Sequence, residues 1–238
     1  LNNAVTKIKS KKLLWQFLSE YVSEKRKALF DHALAYRTRH IVLVAEDTYK
    51  EHNASALIRT CDCFGIQEMH LIEKEHHGKI APGMTKGAEK WVDTVVHQAS
   101  NLNTSYCLDQ LKAKGYRIVA TSPHTKSTTP AQISLVKPIA LFFGREKEGL
   151  STEILENADE HLTVPMYGFS ESYNVSVTAA LVLQQIMHRL HNSDINWQLS
   201  ENDRLDLKIK WAFKSIAKGE LLLQEMIRQN PKIPELIT

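Results

Sequence analysis

Cysteine is scarce in this chain, with Cys61, Cys63 and Cys107 the only three in 238 residues. Three thiols cannot all pair with one another. The chain is therefore no disulfide-stapled scaffold, and its sparing use of cysteine points to a reducing, cytoplasmic setting. Proline and glycine are few, seven and nine, which excludes collagen-like and low-complexity architectures. No apolar run approaches the ~20 residues that span a bilayer, so no membrane is expected as a partner. The leading segment LNNAVTKIKSKK is polar and basic, without the apolar stretch of a secretory signal. What is present is ordinary globular composition, 43% hydrophobic and 24% charged. A chain of this length buries about 70% or more of its unfolded surface, as one large domain or two small ones.

Charge is nearly balanced at +3 but unevenly placed. Residues 1–39 carry nine Lys/Arg against three acids, residues 40–193 fourteen against seventeen, and residues 194–238 seven of each. A basic leading arm suits contact with a polyanion, because Lys and Arg neutralise phosphates and release counterions. A solvated amphipathic helix accounts for the same charges.

Residues 11–37 read as helix, with Leu13, Leu14, Phe17, Leu18, Tyr21 and Val22 at three-to-four spacing. Beyond them, HIVLVAE (40–46), EMHLIE (68–73), DTVVH (93–97), YRIVAT (116–121) and PIALFFG (138–144) read as buried strands. Helical stretches at 53–64 and 103–114 lie between them. This alternation predicts an α/β fold, a mostly parallel sheet covered by helices on both faces. A long apolar helix is expected over 174–190, and one or two amphipathic helices over 197–229, with Trp197 and Trp211 as packing residues. Three parts follow: a basic N-terminal helical extension (1–39), a core (40–192) and a C-terminal helical extension (193–238). Ligands of such sheets bind beyond the carboxyl ends of the strands, so the loops after 45, 121, 144 and 165 hold the candidate residues.

Three of those loops carry chemistry. In HNASALIRT (52–60), Asn53 suits a helix N-cap and Arg59 lies nearly two turns on. Alone, this could be a capped helix whose Arg pairs with a surface acid. In FFGREKEGLS (142–151), two glycines five apart resemble the start of a phosphate-cradling loop, but Leu150 stands where its lysine belongs. Glu146 and Glu148 would repel phosphate, so a ligand with a cationic portion or with exposed N–H donors fits better. VPMYGFSESYNVSV (164–177) leads into a helix rich in small residues, with Ser172 or Asn174 as its cap.

Taken in order, NxxAxxRT, FGxExxGLS and VPMxGxxxSxNVSV resemble the three motifs of the SpoU (TrmH-type) RNA 2′-O-ribose methyltransferases of the SPOUT superfamily. The resemblance spans roughly 40–192, and the combination is far more specific than any single motif. The tail WQLSENDRLDLKIKWAFKS (197–215) is similar to the helical extension of the subgroup that modifies guanosine 18 in the tRNA D-loop.

The resemblance implies methyl transfer from S-adenosyl-L-methionine to a ribose 2′-hydroxyl of RNA, most closely tRNA, by a homodimer that needs no metal. It implies a C-terminal trefoil knot over roughly 118–185, which composition and periodicity could not reveal. Carried over by position, Thr121, Gly144, Val164, Met166 and Tyr173 line the donor pocket; Tyr173 stands where the family usually has leucine. Arg59 takes the catalytic position, with Asn53, Glu146, Ser172 and Asn174 as its polar surroundings. Because a guanidinium stays protonated, Arg59 is assigned the binding of the adjacent phosphate and stabilisation of the developing alkoxide. Lys7, Lys9, Lys11, Lys12, Lys25, Arg26 and Lys27 become candidate tRNA contacts. Other target sites on tRNA or ribosomal RNA, and a catalytically silent RNA-binding member, are the alternatives. Cys61-Asp62-Cys63 lacks a second pair at zinc spacing and reads as packing. The group His70, His76 and His77 is likewise assigned no metal.

Overall fold

A computed structural model describes residues 2–48, 51–73, 82–98, 103–122, 127–145, 148–217, 221–222 and 228. The chain forms two compact units, one of residues 37–198 and one joining 1–36 to 199–238. Among the described residues no helix is long and apolar enough to cross a membrane.

The terminal unit contains α1 (Asn2–Ser19) and α2 (Glu24–Tyr36), where a single helix over 11–37 was expected. The break has a local cause. Short-range bonds from Glu20, Tyr21 and Val22 close α1, and Ser23 starts α2 by accepting from the Arg26 N–H. A further helix of this unit, Glu201–Ser215, is capped by Ser200, whose Oγ accepts from Asp203 N at 3.1 Å. It packs on α1 and α2. Lys11, only 9% exposed, reaches Asp206 at 2.6 Å and Asn202 at 3.2 Å, Phe30 meets Trp211 edge-on, and Lys208 pairs with Asp31. Lys11 is thus committed to an internal ion pair and withdrawn from the candidate tRNA contacts.

The larger unit is built on β1 (Ile41–Glu46), α3 (Glu51–Cys63), β2 (Glu68–Ile72), the short α4 (Pro82–Thr85), β3 (Asp93–His97), α5 (Asn103–Ala113), β4 (Arg117–Thr121), β5 (Ile139–Phe143), α6 (Thr152–Asn157), β6 (Glu160–Leu162) and α7 (Val175–His191). The terminal helix Glu201–Ser215 is α8. The six strands form one parallel sheet in the order β3-β2-β1-β5-β4-β6. Ile41, Leu43 and Ala45 face a core shared with α3 and α7, while Val42 and Val44 face one shared with α5 and α6. Covering both faces buries every residue of β1 and β5, which is why these strands are continuous apolar runs. Strand order reverses between β1 and β5, so the carboxyl ends of β1, β4 and β5 open where such sheets bind ligands.

Candidate functional site

A cavity of about 590 Å³ lies at the carboxyl ends of β4, β5 and β6, a size suited to a nucleoside-sized molecule. Its apolar wall includes Phe143, Leu150, Leu162, Val164, Met166 and Val175, and its polar wall Thr121, Ser122, Thr163, Ser172 and Thr178. Glu148, Glu171 and Arg145 also line it; with the Arg145 charge met by Asp47, the two carboxylates favour a ligand carrying positive charge. Thr121, Gly144, Val164, Met166 and Tyr173, five positions drawn from three loops, all meet on this one wall.

Backbone geometry holds the loop after β5. Arg145 N donates to Gly149 O at 3.0 Å and Gly149 N to Arg145 O at 3.1 Å, so the two ends of the loop close on each other. Gly149 adopts φ +70°, and a Cβ on Gly144 would lie 2.2 Å from the Gly149 carbonyl carbon. Glycine is required at Gly144 by close approach rather than by dihedral angle. Two acids at the end of β1 fasten the same loop. The Glu46 carboxylate accepts from Ser151 N at 2.8 Å, Ser151 Oγ at 2.7 Å and Thr104 Oγ1 at 3.4 Å. Buried Asp47, at φ 48°, forms an ion pair with Arg145. Neither acid was singled out from the sequence; the signal was an Ala-Glu-Asp ending on an otherwise apolar strand.

Asn174 caps α7, its Oδ1 accepting from Ser176 N at 2.9 Å and Ser176 Oγ at 2.6 Å. Its Nδ2 donates to Asn53 Oδ1 at 3.4 Å, tying the first motif to the third. Asn53 is not the N-cap that was expected: α3 begins two residues earlier at Glu51, and Asn53 is buried inside its first turn. Ser172 and Tyr173 face the cavity, and Tyr173 keeps 42% of its surface exposed. Arg59 projects from α3 into solvent and, among the described residues, is not part of the cavity wall. Glu146 lies outside the described residues.

The neighbouring thiols point elsewhere. Cys61 is buried in the core and its pKa is pushed up to about 12 by desolvation, Asp62 pairs with Arg37, and Cys63 is exposed. Trp197 packs against the sheet core, and Trp211 is buried against Phe30 in the terminal unit.

The profile of the SpoU rRNA Methylase family matches residues 40–184. The tRNA (guanosine(18)-2′-O)-methyltransferase of Borreliella burgdorferi is 35% identical over 210 residues, 88% of this chain and 94% of that protein. The Aquifex aeolicus TrmH/SpoU tRNA modifying enzyme is 32% identical in its crystal structure, with a TM-score of 0.72 over 82% of this chain and 98% of that one. The SpoU methyltransferase AviRb from Streptomyces viridochromogenes, in complex with AdoMet, shares the fold at 17% identity and a TM-score of 0.56, over 68% of this chain and 62% of that one.

Proposed function

The chain belongs to the SpoU rRNA methylase family, and on that footing we propose that it transfers a methyl group from S-adenosyl-L-methionine to the ribose 2′-hydroxyl of guanosine 18 in the tRNA D-loop. Convergence of Thr121, Gly144, Val164, Met166 and Tyr173 on one cavity carries this assignment. The residues present fit the donor: the apolar wall accepts a flat adenine, the close approach of Gly144 to the backbone of Gly149 and Leu150 leaves its rim to main-chain groups, and Glu148 and Glu171 suit a cation. When bound, the donor supplies an electrophilic methyl on a sulfonium, so no metal is called on. Guanosine 18 is favoured because the match to the Borreliella enzyme covers 88% of this chain.

Arg59 binds the phosphate next to the target ribose and stabilises the alkoxide as it forms; phosphate or water takes the proton. Asn53 and Asn174 hold α3 against the cap of α7, Ser172 orders the loop beside the cavity, and Glu146 completes the polar surroundings. The active form is a homodimer, in the cytoplasm, with the trefoil threading expected over 118–185. Tyr167 and Phe169, essentially fully exposed, and the α7 pair Val177 and Leu181 offer an apolar face for the second copy. Since Arg59 is absent from its own chain's cavity wall, it serves the cavity of the second copy.

The test is methylation of unmodified tRNA with labelled donor, followed by mapping of the product nucleotide. Product at guanosine 18 is expected. Product at another position or on ribosomal RNA alone rejects the target, and no product on any RNA rejects the activity. Arg59→Ala should lower turnover by at least roughly 100-fold while donor affinity changes only a few-fold. Mixing Arg59→Ala chains with chains disabled in the donor pocket should restore activity; no recovery would place Arg59 at its own chain's cavity.

A further inference from the structure

Beneath α5, away from the donor cavity, the fold brings together three side chains that are distant in sequence. The nearest ligand atoms of His70, His97 and Cys107 all lie within 4.8 Å of one another, and all three residues are buried. Strand register explains the meeting. His97 of β3 pairs with Ile72 of β2, and His70 lies two residues before Ile72 on the same face. That face packs against α5, where Cys107 shares a core cluster with Ile72. Of the histidines grouped in sequence, His76 and His77 lie outside the described residues; the partners of His70 are His97 and Cys107.

The hydrogen bonds fix the lone pairs. Glu68 Oε1 lies 3.0 Å from His70 Nε2, and His70 Nδ1 lies 3.0 Å from His97 Nε2. A carboxylate only accepts, so His70 carries its proton on Nε2 and presents Nδ1 as a lone pair, to which His97 Nε2–H donates. The ring planes differ by 12° with centroids 5.3 Å apart, so the two facing nitrogens meet nearly in one plane, and the Cys107 sulfur lies within 4.8 Å of both residues' ligand atoms.

We propose that His70 Nδ1, His97 Nε2 and Cys107 Sγ form a binding site for one zinc(II) ion. Two imidazoles and a thiolate are a donor set that zinc takes, whereas magnesium and calcium require oxygen ligands. Glu68 behind His70 is the outer-shell carboxylate that orients a ligating imidazole. Binding balances simply: the Cys107 thiol loses its proton to solvent, and the His97 ring proton moves from Nε2 to Nδ1. One proton leaves for each ion bound. Zinc–nitrogen bonds of about 2.0–2.1 Å set tetrahedral nitrogens roughly 3.3 Å apart. The rings therefore part by a few tenths of an ångström and turn their lone pairs to a common point. The ion ties β2, β3 and α5 together.

The full-length chain, stripped with chelator and titrated with cobalt(II) as a spectroscopic probe, tests this. One cobalt per chain is expected, with a thiolate-to-cobalt charge-transfer band that zinc abolishes by displacement. Cys107→Ala should remove the band and weaken binding more than tenfold. Glu68→Gln should weaken it roughly 10–100-fold, and Cys63→Ser should change neither. Sub-stoichiometric binding, a spectrum without the thiolate band, or a band that survives in Cys107→Ala overturns the site. If Cys107→Ala does not fold, the wild-type chain still decides: zinc titration in buffers of different ionisation enthalpy must release one proton per ion, and no release overturns it. The cluster shares no residue with the donor cavity, so methyl transfer stands or falls separately.

Discussion

Gly144 has no room for a methyl group. A Cβ there would sit 2.2–2.4 Å from the backbone of Gly149 and Leu150, and backbone held by two mutual hydrogen bonds does not yield cheaply. Gly144→Ala should therefore spring the loop after β5 and weaken S-adenosylhomocysteine binding by at least roughly tenfold, a loss equal to about 1.4 kcal/mol. Titration calorimetry measures it; unchanged affinity would mean that this loop does not hold the donor. The glycine pair was readable as spacing in the sequence. Its reason was not, because only the folded loop shows which backbone atoms meet. Arg59 was legible as a motif position, yet its absence from the cavity wall was not, since sequence order does not show which side chains reach a cavity. Glu68 and His97 add a pH effect. The hydrogen bond from His70 is the main force holding the Glu68 pKa down, to about 2 from 4.5, while burial pushes His97 down to about 4 from 6.5. Both groups bind fewer protons folded than unfolded in mild acid, so stability falls as pH falls. The His97 contribution is lost from about pH 6.5 down to about 4, and the Glu68 contribution from about 4.5 down to about 2. Urea midpoints of the chelator-stripped chain, followed across this range, should decline in two overlapping steps, and His97→Gln should flatten the upper one.

At the scale of elements, the cap of α7 joins stability to binding. Asn174 closes the helix and reaches Asn53, while its neighbours Ser172 and Tyr173 line the cavity. Asn174→Ala should cost about 1 kcal/mol of stability from the lost cap, seen in the thermal midpoint, and reduce donor affinity several-fold because the loop before it loosens. A stability loss with unchanged donor affinity would separate the cap from the pocket. Elements buried on both faces were the easiest to read: β1 and β5 announce themselves as unbroken apolar runs. β6 did not, since Glu160–Leu162 is three residues with one buried, held at the edge of the sheet by pairing to β4 rather than by its own composition. The break between α1 and α2 was missed because apolar spacing continues across it, although Ser23 carried the cap signal. Asn53 misled in the opposite way, as a good capping residue used instead to bridge two helices.

For the whole molecule, the basic arm is smaller than its composition suggests. Lys11 is spent on Asp206, and Lys27 lies 2.6 Å from Glu24, whereas Lys12, Lys25 and Arg26 stand exposed. Affinity for tRNA should fall steeply with salt while donor affinity barely moves, and replacing Lys12 and Lys25 together by Glu should lower the salt slope by about two. Filter binding across a salt series checks this; an unaltered slope would remove the arm from the RNA contact. The pairing that withdraws Lys11 also orders the molecule in time. Its partner Asp206 lies 195 residues later, which at about 5–20 residues per second is roughly 10–40 s of translation. The helix that carries Lys11 waits for one made some 195 residues later, so on the ribosome the catalytic body can be complete before Lys11 meets the carboxylate that holds it.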